Sequence, residues 1–214
     1  MKSFLSLFID SAKSLKELRT LTTTGMLLAL AIAIRSLAIQ ITLDLRIVFT
    51  FLPLCVIAML YGPVVSGLST FGLDIIGFII DNKSARGYSI QLALVELLVG
   101  ILYGIFLYKK DISKVNFKNV LSIVFARGSV VLFCNILLNS YLLYTLYINK
   151  DFSVISFAEN SDLRSAFMVW WAPRITKNLI QFPIDVVLLC VVLPAANAAY
   201  KSVVKHSFKR SRAN

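Results

Sequence analysis

Long apolar runs separated by short polar interruptions occupy almost the whole chain. Helices are predicted where a run approaches the roughly 20 residues needed to cross a hydrocarbon layer. These runs are Thr22 to Ile41, Ile47 to Tyr61, Pro63 to Ile80, Tyr88 to Tyr108, Val120 to Ile148 and Arg174 to Ala199. The second is short, and only Gly62 and Pro63 separate it from the third, so the two form a tight hairpin or a bent pair. Ahead of these runs, Phe4, Phe8, Ala12, Leu15 and Leu18 recur at helical spacing with Lys13, Lys16 and Arg19 between them, the pattern of a helix lying on a membrane surface. The pattern therefore predicts an all-α membrane protein: an N-terminal amphipathic surface helix (residues 1–20), a six-transmembrane-helix bundle (21–204) and a basic tail (205–214).

Composition agrees, with 58% hydrophobic and 15% charged residues in 214 positions and a mean hydropathy of +0.80. The loops are too short for an independent soluble domain. Cys55, Cys134 and Cys190 lie in apolar runs, which suggests small core residues and neither a disulfide framework nor a thiolate metal cluster. The polar interruptions Asp10, Lys13, Lys16 and Glu17 argue against a secretory signal.

The formal charge of +11 suggests nucleic acid until its placement is considered. Lys2, Lys13, Lys16 and Arg19 precede the first run, Lys109, Lys110, Lys114 and Lys118 separate the fourth and fifth, and Lys201, Lys205, Lys209, Arg210 and Arg212 end the chain. With six spans these segments share one side. The opposite loops hold fewer cations, Arg46, Lys83, Arg86, Lys150 and Arg164, so the positive-inside rule places both termini in the cytoplasm. The basic tail is then topological, and no nucleic-acid partner is expected. Tyr141, Tyr144 and Tyr147, with Trp170 and Trp171, fit an aromatic belt at the outer interface.

With direction assigned, the helical rise gives depth. Asp74 and Arg35 each lie six residues from the outer end of their runs, about 9 Å below the boundary. Glu96, Asn135, Asn139, Arg174, Lys177 and Asn178 fall in the same outer half. A carboxylate in hydrocarbon costs roughly 2.5 to 3.5 kcal/mol by insertion scales, so it faces a partner or a cavity. An Arg35–Asp74 ion pair is one reading. The cations Arg35, Arg46, Arg174 and Lys177 outnumber Asp74 and Glu96, which points instead to a cavity for an anionic ligand. In "RITKNLIQFPID" the residues Arg174, Lys177, Asn178 and Gln181 share one helical face, and Trp170 extends it by a turn, so that cations clamp a carboxylate while an aromatic covers a flat ring. Pro183 is expected to break the ladder below, and Asp185 could pair with Arg127. In the first span Gly25, Ala29 and Ala33 recur every four residues, a small-residue face that packs either internally or against another helix.

"ALAIAIRSLAI", "LRIVFTFLPLCVIAMLYGPVVSGLSTFGLDIIGF", "LVGILYGIFLYKK", "NILLNSYLL" and "APRITKNLIQFPID" together resemble the folate-type substrate-binding subunits, or S components, of energy-coupling factor (ECF) vitamin transporters. The resemblance covers nearly the whole chain after the amphipathic start. It implies a six-helix bundle in a bacterial cell membrane with an extracytoplasmic vitamin site capped by the loop Gln40 to Arg46. It also implies an Ala-x-x-x-Ala contact, matched by Ala29 and Ala33, to a transmembrane coupling (T) subunit, with transport driven by two separate ATPase subunits. No Gly-x-x-x-x-Gly-Lys-Ser/Thr loop is present here. A folate offers two parallel pteridine donors to one carboxylate, for which Asp74 is suited, and two carboxylates to Arg35, Arg46, Arg174 or Lys177. Asn139 and Asn178 add amides, and Phe49, Phe51, Tyr88 or Trp170 could stack on its rings.

Other classes fit less well. An intramembrane aspartyl protease using Asp74 and Asp185 would resemble a Gly-x-Gly-Asp stretch, but Phe71 stands where the first glycine is needed. His206, the one histidine, lies in the tail, so no His-based zinc site, catalytic triad or cofactor is expected and the chain is not read as an enzyme. An autonomous small secondary transporter binding cations would need a net acidic site. An S component for another vitamin is the nearer alternative.

Overall fold

The computed structural model of the chain describes residues 2–37, 39–42, 45–80, 87–110, 112, 116–150, 152–153, 157–158 and 160–211, without the side chains of 2–4, 39–42, 45–46 and 204–211. Lys83, Arg86, Lys114 and Arg212 of the charge pattern lie outside these residues. The elements are α1 (Lys2–Ser14), α2 (Leu18–Ser36), β1 (Ile39–Thr42), β2 (Leu45–Ile47), α3 (Phe51–Ile80) and α4 (Ile90–Leu107). They continue with α5 (Phe117–Ser129), a π-helical segment (Val130–Asn139), α6 (Ser140–Tyr147) and α7 (Ser161–Ser211). Among the described residues five units are long and apolar enough to cross a membrane: α2, α3, α4, the continuous stretch Phe117–Tyr147, and α7.

Six apolar runs become five helices because α3 holds two of them. Gly62 interrupts it with φ 85° and ψ −169°, a conformation that suits a residue without Cβ. A Cβ there would also press on the Tyr108 ring and on Ser11. A straight helix of 30 residues would run about 45 Å. Phe51 and Leu54 of the first arm instead line the same cavity as Thr70, Leu73 and Asp74 of the second, so the arms fold back on each other. The first arm begins at Phe51, not Ile47 as predicted, and rises only about 16 Å, half the hydrocarbon thickness.

A side chain from α1 closes this break. Ser11, fully buried, donates to the Tyr61 carbonyl (2.6 Å) and accepts from the Val64 and Val65 amides (3.0 and 3.3 Å). It caps the second arm as an N-cap serine does, although it comes from another helix. The amphipathic helix is thus packed onto the turn it serves, and an Asp10–Lys109 ion pair ties it to the end of α4. That pairing lowers the Asp10 pKa and raises that of Lys109.

Two further boundaries differ from expectation. The first run ends as helix at Ser36, and Ile39–Thr42 pairs antiparallel with Leu45–Ile47. The β-branched Ile39, Ile41, Thr42 and Ile47 suit a strand better than a last helical turn. At the other end of the chain, α7 passes Pro173, Pro183 and Pro194 as one helix, so Pro183 does not end it.

The helices pack by two means. A core of Cys55, Ala58, Tyr103, Ile123, Leu189 and Leu193 joins α3, α4, α5 and α7. On α4, Gly100 and Gly104 lie against Ser66 and Pro63 so closely that a Cβ at either would overlap backbone atoms of α3, and Ser66 Oγ donates to the Gly100 carbonyl (2.6 Å). This small-x-x-x-small face is spent inside the chain.

Of the residues expected in an aromatic belt, Tyr141, Tyr144, Trp170 and Trp171 belong to one cluster, while Tyr147 stands apart and donates to the Gly87 carbonyl (3.3 Å). Tyr144, Phe152 and Phe167 are buried, with Tyr141, Phe157, Trp170 and Trp171 packed around them. Phe152, in the connection to α7, stacks on Phe167 (5.1 Å, 16°) and meets the Tyr144 ring at 4.7 Å. The connection supplies partners that hydropathy along a helix cannot register.

Candidate functional site

A cavity of about 370 Å³ opens among all the spans. From α2 comes Arg35, from α3 Thr70 and Asp74, from α4 Glu96 and Tyr103, and from α5 Arg127. Asn135 and Asn139 come from the π segment, and Arg174, Lys177, Asn178 and Gln181 from α7. The apolar part is Val48, Phe51, Leu54, Leu73, Leu92, Val99, Val130 and Leu143.

Of the residues singled out from sequence, Asp74, Arg35, Asn139, Arg174, Lys177 and Asn178 lie in this lining. The side chain of Arg46 is outside the described residues. Phe49 stands beside the lining, its ring 6.3 Å from that of Phe51. Tyr88 is 39% exposed, with its ring edge on Phe78 (5.0 Å) and its hydroxyl hydrogen-bonded to the Asp74 carboxylate. Trp170, expected to cover a flat ring, has one face occupied by the Arg174 guanidinium at 4.1 Å. It holds the cation that lines the cavity and belongs to the aromatic cluster behind it.

Each polar group is placed by a local feature. On α3, Gly77 makes a cradle for Arg35: a Cβ there would overlap the guanidinium. On α7, Arg174, Asn178, Gln181 and Asp185 follow each other at three and four residues and are all buried. Asn178 Nδ2 donates to the Arg174 carbonyl (2.8 Å), so one side of that amide is held within the helix.

Part of the lining is an ion-pair network. Arg127 Nε and Nη2 donate to Asp185 Oδ2 (3.0 and 2.6 Å), and Nη1 donates to the Tyr103 hydroxyl (2.5 Å). The guanidinium lies 4.4 Å over the Phe51 ring, and Gln181 Nε2 donates to Asp185 Oδ1 (3.3 Å). Arg127 and Asp185 are 6% and 1% exposed, so neither charge is shared with bulk solvent. The pairing considered from sequence is present, but the place of Arg127 and Tyr103 in the cavity wall was not foreseen. The signal was there: a lone arginine and a lone aspartate, each deep within an apolar run.

With Arg127 matched by Asp185, the remaining basic lining residues Arg35, Arg174 and Lys177 outnumber the carboxylates Asp74 and Glu96. Such a wall favours an anion while keeping carboxylates for donors on the ligand. Among the described residues no group of His, Cys, Asp and Glu is arranged to hold a metal ion.

The small-residue face of α2 is distinct from this site. Gly25, Ala29 and Ala33 are all exposed, a Cβ at Gly25 would meet nothing within 4 Å, and the adjoining Met26 and Leu30 are 75% and 50% exposed. Unlike Gly100 and Gly104, these residues are left open by the described residues of the chain.

Comparison with known proteins agrees with this architecture. The family described as "ECF transporter, substrate-specific component" matches residues 19–193. The folate transporter FolT of Leuconostoc mesenteroides is 30% identical over 170 residues, covering 79% of this chain and 82% of that protein. FolT of Streptococcus mutans is 34% identical over 130 residues, covering 59% and 68%. The crystal structure of FolT bound with folic acid superimposes with a TM-score of 0.63 at 29% identity, over 81% of this chain and 91% of that one. A fold of broken and unbroken spans around one polar cavity, matched over most of its length, makes the chain a member of the family of ECF transporter substrate-specific components.

Proposed function

We propose that the chain captures folate at the outer face of a bacterial cell membrane, with both termini in the cytoplasm, and delivers it through a T subunit and two ATPase subunits. The observation that carries this reading is the cavity itself, in which Arg35, Arg174 and Lys177 outnumber the carboxylates Asp74 and Glu96 once Arg127 is matched by Asp185. Its volume falls in the range of small-molecule sites, about 300 to 1,000 Å³. The relatives named for folate transport and the neighbour bound with folic acid support the choice of ligand. In this reading Asp74 accepts the two parallel donors of the pteridine, and Arg174, Lys177 and Arg35 face the carboxylates of the glutamate. Asn139 and Asn178 add amide contacts, and Phe51 lies against the rings. Gly25, Ala29 and Ala33 meet the T subunit, and α1 lies at the cytoplasmic surface against lipid.

Titration of the purified chain with folic acid, followed by heat or tryptophan fluorescence, tests the assignment. Saturable binding is expected; absence of folate binding alongside tight binding of riboflavin, thiamine or biotin would overturn it. Asp74→Asn keeps the size but loses the charge, and should weaken binding by about 1.5 to 3 kcal/mol. Unchanged affinity would leave Asp74 a structural partner of Tyr88. Gly77→Ala is expected to leave the fold intact, because the atoms it displaces are the mobile end of a side chain. It should still weaken folic acid binding by about 1 to 3 kcal/mol through loss of Arg35 placement, and wild-type affinity would show that Arg35 does not need the cradle.

A further inference from the structure

The π-helical segment Val130–Asn139 is ten residues long, whereas π geometry occurs mostly as single-turn bulges, frequently at functional sites. Its effect on the cavity is legible in the spacing of the lining residues Arg127, Val130, Asn135, Asn139 and Leu143. Steps of three and four residues follow an α-helical face, but the step from Val130 to Asn135 is five, the interval of an i→i+5 turn. Regular α winding from Arg127 would rotate Asn135 about 80° away from the Arg127 direction. The wider winding returns both asparagines to the face that Arg127 occupies.

Such a segment needs support from outside itself. At its exit the Ser140 amide bonds to the Leu137 carbonyl, three residues back, so the ladder skips carbonyls just before that point. Ile136 stands at that place, and Trp171 Nε1 donates to its carbonyl (2.9 Å) from α7. Ser140 Oγ donates to the neighbouring Asn135 carbonyl (3.1 Å). Trp171 itself is absent from the cavity lining. Its indole packs against Phe167 (5.7 Å) in the aromatic cluster, which holds the donor in place.

We infer that Trp171 is a positioning residue: its indole N–H holds the π register, and that register delivers Asn135 and Asn139 to the ligand cavity. The binding readout rests on the folate reading, whereas the register itself does not.

The test uses the full chain in detergent with two variants, Trp171→Phe and replacement of Trp171 by 3-benzothienylalanine, which keeps the two-ring shape and lacks the N–H. Hydrogen exchange is read without ligand. Faster exchange in peptides spanning residues 130–147, with α4 peptides unchanged, is expected; unchanged exchange across 130–147 in the benzothienyl variant would overturn the inference. Folic acid affinity should fall about five-fold, the worth of one hydrogen bond. That loss should vanish when Asn135→Ala and Asn139→Ala are already present. A loss of equal size in that background would mean that Trp171 acts on stability alone. If the wild-type chain binds no folic acid, the folate reading fails, and the exchange measurement still decides the register.

Discussion

Asp185→Asn is expected to destabilise the bundle by about 3 to 5 kcal/mol, the usual cost of stranding a buried charge. Asp185 is 1% exposed and accepts two hydrogen bonds from Arg127 and one from Gln181. Removing its charge leaves the guanidinium at most a neutral amide oxygen at position 185, the Tyr103 hydroxyl and the Phe51 ring. None carries a countercharge. Replacing both members, Arg127→Met with Asp185→Leu, should recover most of the loss, because two apolar side chains avoid the desolvation that the pair pays for. Unfolding in mixed micelles, followed by helical circular dichroism against denaturant, measures both. A small effect of Asp185→Asn would mean that cavity water solvates Arg127 and that the floor is wetter than its burial indicates.

The same pair shows where sequence information ends. Arg127 and Asp185 are conspicuous because each interrupts a long apolar run, and hydrocarbon makes every such interruption costly. The depth of Asp74, Arg35, Asn139, Arg174 and Lys177 follows from a fixed rise per residue, a local quantity, so their convergence on one cavity could be expected before any packing was known. The break at Gly62–Pro63 was legible for the same reason. What could not be read depends on partners distant in the chain. Ser11 looks like one polar position on an amphipathic helix, yet it caps a turn fifty residues away. Trp170 and Trp171 look interfacial, yet both rings pack on Phe167 and that of Trp170 also meets Tyr144, from a different helix. The π winding has no periodic signature in "VVLFCNILLN", because the side chain that supports it lies 35 residues further on. Small-residue spacing was ambiguous by nature: Gly100–Gly104 and Ala29–Ala33 share one pattern, and only the packing of the helices separates the internal face from the open one.

That separation leads to the second large effect. Ala29→Trp or Ala33→Trp should abolish folate uptake by cells making the complete transporter, while folic acid binding to the isolated chain stays within about two-fold of wild type, the ordinary range for an exposed substitution. Both alanines are exposed on α2, so an indole there extends away from the bundle and displaces no atom of the cavity. In a bilayer, lipid tails are as apolar as leucine, so helices associate through close backbone approach and the contacts it allows, not through burial from water. An indole on this face holds a partner helix several ångströms off and forfeits those contacts. Uptake in cells, binding to the purified chain and co-purification with the T subunit together discriminate the alternatives. Loss of uptake and of co-purification with binding retained is the signature of a coupling surface. Loss of binding as well would mean that the face packs within the chain, and retained uptake would mean that it meets only lipid. The internal face gives the contrast: Gly104→Ala, which forces a Cβ into the Pro63 backbone, should lower the yield of folded chain before transport is reached, because α4 and the second arm of α3 cannot then close around the turn that Ser11 caps.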